Sequence, residues 1–180
     1  MSRVGPSPPT GVPPRDDHAI FSRPGHLIRR LQQIAVAIFM AETKRFNITP
    51  VQYSALVAVE MHPGIDQTTL VNIIAFDRST IGNVVGRLES KNWIKRAEGA
   101  QDRRTKRLTV TAQGRKVLRE IDRSVDSAQR LILAPLRPAE RPAFMSMLKR
   151  LVHINNDLSR APLRAPREHN DGRKPRRPGR

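Results

Sequence analysis

Residues 77–114 read DRSTIGNVVGRLESKNWIKRAEGAQDRRTKRLTVTAQG, and two changes of pattern inside them decide the fold. Asp77 can cap a helix whose Ile81, Val84, Val85 and Leu88 recur at i, i+3, i+4 and i+7, one apolar stripe on a helical period. After Asn92 the pattern changes. Trp93-Ile94-Lys95-Arg96 is short and extended, Glu98 to Thr105 is polar and turn-rich, and Lys106 to Val110 alternates charged with apolar residues. This spacing predicts a two-stranded hairpin with a long basic tip. Thr111 can cap the helix that follows.

Helical periodicity also dominates on both sides. Upstream, Leu27, Leu31, Ile34, Ile38 and Ala41 predict an amphipathic helix over His26 to Arg45. Thr49-Pro50-Val51-Gln52 reads as a helix start, with a threonine N-cap, a first-turn proline and a glutamine three residues on. That helix runs through Leu56 and Val59 to His62-Pro63-Gly64, and Asp66 or Thr68 caps a short one at 68–75. Downstream, Val117, Leu118, Ile121, Val125 and Leu131 predict a long helix, and a last one covers roughly Pro138 to Leu158. The fold class is mainly α with a small β-wing.

Composition narrows the function. The 180 residues include 33 Lys or Arg and 16 Asp or Glu, a net +17 that favours a polyanionic partner. Eight basic and three acidic groups fall in residues 87–107, so the excess concentrates on the hairpin and the helix before it. There is no cysteine, which excludes disulfides, zinc ribbons and thiol chemistry. The longest apolar run, Ile34 to Ala41, is too short for a membrane span, and no secretory h-region follows the N-terminus. A cytoplasmic protein without a membrane partner is expected. Six of 15 prolines lie in residues 1–25 and four in 159–180, predicting a disordered Pro-rich arm and a disordered basic tail around residues 26–158.

The short helix and the one after it form a helix-turn-helix, and the hairpin is a wing beside it. The outward face of the second helix is Ser79, Asn83, Gly86, Arg87 and Ser90. Small residues let the backbone approach a major groove, while hydroxyls, an amide and a guanidinium face base edges and phosphates. The competing reading is an ordinary amphipathic helix with a polar face.

Taken in order, these pieces resemble the MarR family of winged-helix transcription regulators across residues 26–158. The resemblance rests on Ile48-Thr49-Pro50-Val51-Gln52-Tyr53, on Asp77-Arg78-Ser79-Thr80-Ile81, and on Arg87 through Arg96 leading into the wing. Most specific is Asp102-Arg103-Arg104 followed by Val110-Thr111-Ala112-Gln113-Gly114. Val110 replaces a usual leucine and Asn92 a common glycine. The last helix has Arg137 where a hydroxyl cap is usual and Pro142 near its start, so a frayed or kinked beginning is expected.

The resemblance implies a ligand-responsive regulator, a homodimer on a pseudo-palindromic double-stranded DNA operator, with no cofactor. DNA-binding residues would be Arg78, Ser79, Thr80, Asn83 and Arg87 on the recognition helix, with Arg104 entering the minor groove. Arg103, Lys106 and Arg107 would serve phosphates. Asp102 would position the wing by an ion pair, or else is a solvated turn residue. The DNA-binding part would be 49–111, with dimerisation helices at 26–46 and 112–158. The alternative to dimerisation is that Phe144, Met147 and Leu151 pack inside one chain.

Family members commonly bind aromatic carboxylates or aryl-coenzyme A thioesters, and here His26, Arg29, Arg30 and Tyr53 would line the effector cleft. The plainer reading makes Tyr53 core and the two arginines solvated. No phosphate loop, serine elbow or carboxylate signature suggests an enzyme, and the five histidines share no metal-ligand spacing. A non-specific architectural nucleic-acid-binding protein is the alternative that the charge alone would allow.

Overall fold

The computed structural model describes residues 20–76, 78–98 and 106–164. Helix α1 (Pro24–Glu42) leads through a 3-10 turn at Lys44–Phe46 into α2 (Pro50–Met61). A two-residue strand β1 (Ile65–Asp66), α3 (Gln67–Ile74), α4 (Arg78–Ser90), β2 (Ile94–Glu98) and β3 (Lys106–Val110) follow. Helix α5 (Ala112–Ile132), α6 (Arg141–Ile154) and a 3-10 turn at Asn156–Leu158 complete the order. Among the described residues, no helix is long and apolar enough to cross a membrane.

The helix boundaries follow from local hydrogen bonds. The Thr49 hydroxyl accepts from the Gln52 N–H while the Gln52 side chain accepts from the Thr49 N–H, a complete capping box. Asp66, not Thr68, caps α3, accepting from both the backbone N–H and the hydroxyl of Thr69. Helix α1 stops at Glu42 rather than Arg45 because the chain tightens into the 3-10 turn. There the buried Thr43 hydroxyl donates to the Phe39 carbonyl, and Asn47 takes a left-handed conformation. Pro142 falls in the first turn of α6, where its missing N–H costs nothing, and α6 starts regularly at Arg141. Upstream of it, Arg137 is not a cap but donates to the Glu140 carboxylate from both backbone and side chain.

The sheet holds one strand more than the hairpin. Its order is β1-β3-β2, all antiparallel, with Ile94 opposite Val110, Glu98 opposite Lys106, and Ile65 opposite Leu108. A strand of two residues carries no alternation, so β1 left no signature in the sequence. The sheet's inner face meets α2, α3 and α4. Leu56, Leu70, Ile81, Leu88, Ile94 and Leu108 are all 0–1% exposed there. Each such side chain contributes on the order of 1.5–3 kcal/mol of burial.

The hairpin is locked to α5 at one point. The Thr111 N–H donates to the Trp93 carbonyl, and the Thr111 hydroxyl donates to the Asn92 carbonyl and accepts from the Gly114 N–H. Asn92 itself is left-handed, as its replacement of a glycine implied. A Cβ on Gly114 would overlap the Trp93 carbonyl oxygen and come within 2.7 Å of Val110 Cγ1. The glycine that ends the Thr111-to-Gly114 run is thus required by close approach of two backbones.

Candidate nucleic-acid interface and effector cleft

Helix α4 is divided cleanly between core and solvent. Ile81, Val84, Val85 and Leu88 are buried, whereas Asn83, Arg87 and Ser90 are exposed. Thr80 is half-buried, Gly86 is partly open, and Arg78 opens the helix with Ser79 next to it. The turn before α4 passes through Ala75, which is left-handed at φ 51°. A Cβ on Gly86 would meet nothing closer than the end of the Arg96 side chain at 4.0 Å, so the backbone of this face can approach a groove closely. The Ser90 hydroxyl is turned back onto the Arg87 carbonyl at 2.9 Å, so among the described side chains of this face Asn83 and Arg87 are the polar groups that project into solvent.

Charges around the wing are more engaged than their sequence suggested. Lys106 pairs with Glu98 across the hairpin at 3.2 Å. Arg107 donates to the Gly64 carbonyl at 3.2 Å and stands opposite Asp66 in the β1–β3 register. Burial alone would raise the Asp66 carboxyl. Hydrogen bonds from Thr69 and Thr68 and the charge of Arg107 outweigh it and hold the carboxyl below its ordinary value. Arg107 therefore braces the α3 cap as well as carrying charge. Asp77, at the start of α4, and Asp102, Arg103 and Arg104, at the wing tip, lie outside the described residues.

Three basic residues were missed by the sequence reading. Arg96 on β2 forms an ion pair with Glu89 of α4 at 3.0 Å and reaches the side of Gly86. It thus joins the edge of the exposed α4 face. Lys95, its neighbour, is exposed. Lys91 donates to the carbonyls of Phe46 and Asn47 and lies over the Trp93 ring at 4.5 Å, tying the end of α4 to the turn after α1. Burial and the nearby Arg87 charge lower its pKa. A helix end separates Glu89 from Arg96, so no helical spacing announces the pair.

The expected effector residues fall into two groups. His26 stacks edge-on against Phe21, with ring centroids 5.2 Å apart, and Arg29 and Arg30 both donate to Gln33. Tyr53 instead packs against Phe39 at 5.9 Å. Phe39 lies nine residues beyond Arg30, roughly 14 Å along α1 at about 1.5 Å per residue. Burial raises the Tyr53 hydroxyl pKa, and the α5 carboxylates of Asp122 and Asp126 raise it further. One chain does not bring the arginines and the tyrosine together.

A three-stranded wing packed on a helix-turn-helix, flanked by longer helices, is a winged-helix DNA-binding module. The sequence model of the MarR family matches residues 46–105. A putative transcriptional regulatory protein for the hcr operon of Thauera aromatica is 34% identical over 134 residues, covering 74% of this chain and 81% of that protein. The solved PcaV transcriptional regulator of Streptomyces coelicolor is 32% identical with a TM-score of 0.67, covering 76% of this chain and 99% of its own. BpsR of Bordetella bronchiseptica, whose structure concerns regulation of its DNA binding by 6-hydroxynicotinic acid, is 27% identical with a TM-score of 0.68. The match covers 73% of this chain and 94% of BpsR. The chain belongs to the MarR family of DNA-binding transcriptional regulators. Such relatives regulate transcription and are not enzymes.

Proposed function

We propose that the protein is a homodimeric repressor that holds a pseudo-palindromic operator and leaves it when an aromatic carboxylate or its coenzyme A thioester binds. The observation that carries DNA reading is the exposed Asn83 and Arg87 face of α4, set on a rigid core and flanked by the wing. In this reading Arg78, Ser79, Thr80, Asn83 and Arg87 serve the major groove, and Arg104 enters the minor groove with Asp102 orienting it. Arg103, Lys106 and Arg107 contact phosphates, Lys106 and Arg107 doing so from the positions their protein partners fix.

Dimerisation is supported by apolar surface that one chain leaves open. Leu27, Ile28, Leu31 and Ile34 on α1 are exposed, as are Met147, Leu148, Leu151, Val152 and Ile154 on α6. A second copy supplies the missing side of that layer and sets two recognition helices one helical turn apart on DNA.

The regulation of BpsR by 6-hydroxynicotinic acid supports an aromatic acid as effector. Within this cleft the ring belongs beside Tyr53 and Phe39. The anionic end belongs with Arg29 and Arg30, since Asp122 and Asp126 repel it from the Tyr53 side. A free acid is too short to touch both groups in one chain. That favours a thioester, or an acid held between the arginines of one subunit and the tyrosine of the other.

Nuclease-footprint titration with competitor DNA tests the proposal. Protection of one pseudo-palindrome, lifted by a member of a panel of aromatic acids and thioesters, is expected. Equal coating of every sequence, which the net +17 would permit, overturns it in favour of an architectural protein.

A further inference from the structure

The chain after α6 does not leave the protein at once. Asn156 clamps the backbone of Leu163 from both sides: its side-chain oxygen accepts from the Leu163 N–H at 2.9 Å, and its side-chain nitrogen donates to the Leu163 carbonyl at 3.2 Å. Ala161 donates to the Ser159 hydroxyl inside the loop so closed, and Ala161 and Pro162 are half-buried. The next residue, Arg164, donates its N–H to the Asn72 carbonyl on α3 at 2.9 Å. Residues 159–164, which composition had assigned to a tail, are therefore fastened to the first helix of the helix-turn-helix.

That fastening fixes where the remaining sequence starts. Residues 165–180 hold Arg167, Arg173, Lys174, Arg176, Arg177 and Arg180 against only Glu168 and Asp171. In a helix-turn-helix the first helix crosses the DNA backbone while the second enters the groove. Sixteen residues reach at most about 55 Å at roughly 3.3–3.6 Å each, more than one DNA turn of about 34 Å. PcaV is matched over 99% of its length by 76% of this chain, so about a quarter of this chain lies beyond the shared fold.

We propose that the Asn156 clamp and the Arg164–Asn72 bond form a latch that delivers the basic C-terminal segment onto phosphates flanking each half-site. This inference rests on the DNA-binding reading of α3 and α4, and it adds a second, sequence-independent contact outside the operator. The latch supplies placement: a tether anchored beside the DNA holds its charges near the flanks at high effective concentration. The charges supply affinity through released counterions.

The test uses the full chain, a variant with all six of those basic residues changed to Gln, and Asn156→Ala. Each is titrated, across a salt series, against the operator selected from a random-duplex library, both at minimal length and with random flanks of one helical turn. The parent is expected to bind the flanked duplex about 10-fold more tightly than the minimal one, with a salt slope steeper by about 4 per chain at roughly 0.9 per phosphate. The glutamine variant should bind both duplexes alike while matching the parent on the minimal one. Asn156→Ala should lose most of the flank preference although its tail is intact. A parent indifferent to flanks, or a glutamine variant that keeps the preference, overturns the flanking contact. Full preference in Asn156→Ala overturns the latch. Failure of any form to prefer operator over random duplex would instead strike the underlying DNA-reading assignment.

Discussion

The winged core and α6 are built from similar side chains but meet opposite fates. Among the described residues, the largest fully buried side chains all lie between Thr43 and Ile121, where the helix-turn-helix and wing close a core with the ends of their flanking helices. Helix α6 has no buried residue, and Leu151, Val152 and Ile154 are 54%, 63% and 71% exposed. Monomeric proteins rarely leave so continuous an apolar strip in water. The difference separates two tasks. Reading DNA requires a shape that one chain can fix alone, whereas spacing two readers requires a surface left unfinished.

The largest effect should come from the joint between hairpin and α5. Gly114→Ala forces a methyl group against the Trp93 backbone carbonyl and the buried Val110 side chain. A loss of about 3 kcal/mol or more is expected, read as a large drop in urea midpoint or as absent folded protein. Wild-type stability in this variant would mean that the wing is not seated on α5 as described.

Next is the unfinished surface itself. Leu148→Glu with Leu151→Glu removes two apolar contacts of roughly 1.5–3 kcal/mol each and buries charge in their place. The dimer constant should weaken at least about 100-fold, equivalent to about 2.8 kcal/mol, while the winged core keeps its cooperative melt. If melting collapses together with association, the two regions are not separable.

A smaller effect tests the α3 cap. Asp66→Ala should cost about 1 kcal/mol by removing the acceptor for Thr69. Because the folded Asp66 carboxyl lies below its ordinary value, its ionised form stabilises the fold above the unfolded carboxylate pKa of about 3.9. That contribution is lost as pH falls through the lower, folded value. Asp66→Asn keeps a cap but should lose this acid-range dependence, measured as midpoint against pH. An unchanged pH profile would remove Asp66 from the account.

The smallest change should be favourable. Ala75 is held left-handed in the turn between α3 and α4, where an L-residue other than glycine is strained. Ala75→Gly is expected to raise stability by about 0.5–1 kcal/mol, reduced from the full conformational penalty by glycine's greater unfolded entropy. Destabilisation in a thermal melt would show that the Ala75 methyl contributes packing that outweighs the strain.

How far the sequence could be read depended on the range of the interaction. Thr49, Asp66 and Thr111 announce their helix starts because a cap acts over three residues, and the α4 stripe follows from helical period alone. The hairpin was visible in the alternation from Lys106 to Val110, but its register was not: Glu98, which read as the start of the polar turn, pairs with Lys106 in β2. Long-range satisfaction was not visible. Nothing in the spacing joins Arg107 to the Gly64 carbonyl, Lys91 to the turn after α1, or Asn156 to Leu163 and Arg164 to Asn72. The expected cleft shows the same limit: the sequence offered Arg29, Arg30 and Tyr53 as one group, but within one chain Tyr53 packs on Phe39, nine residues beyond Arg30 along α1.

The contrast between a finished core and an unfinished helix pair is tested most directly by the mass of the parent protein in solution. Sedimentation equilibrium at micromolar concentration, without DNA, should give twice the 20.3 kDa of one chain. A 20.3 kDa species under those conditions, still cooperatively folded, would contradict the account, because α1 and α6 would then be stable in water with their apolar faces open.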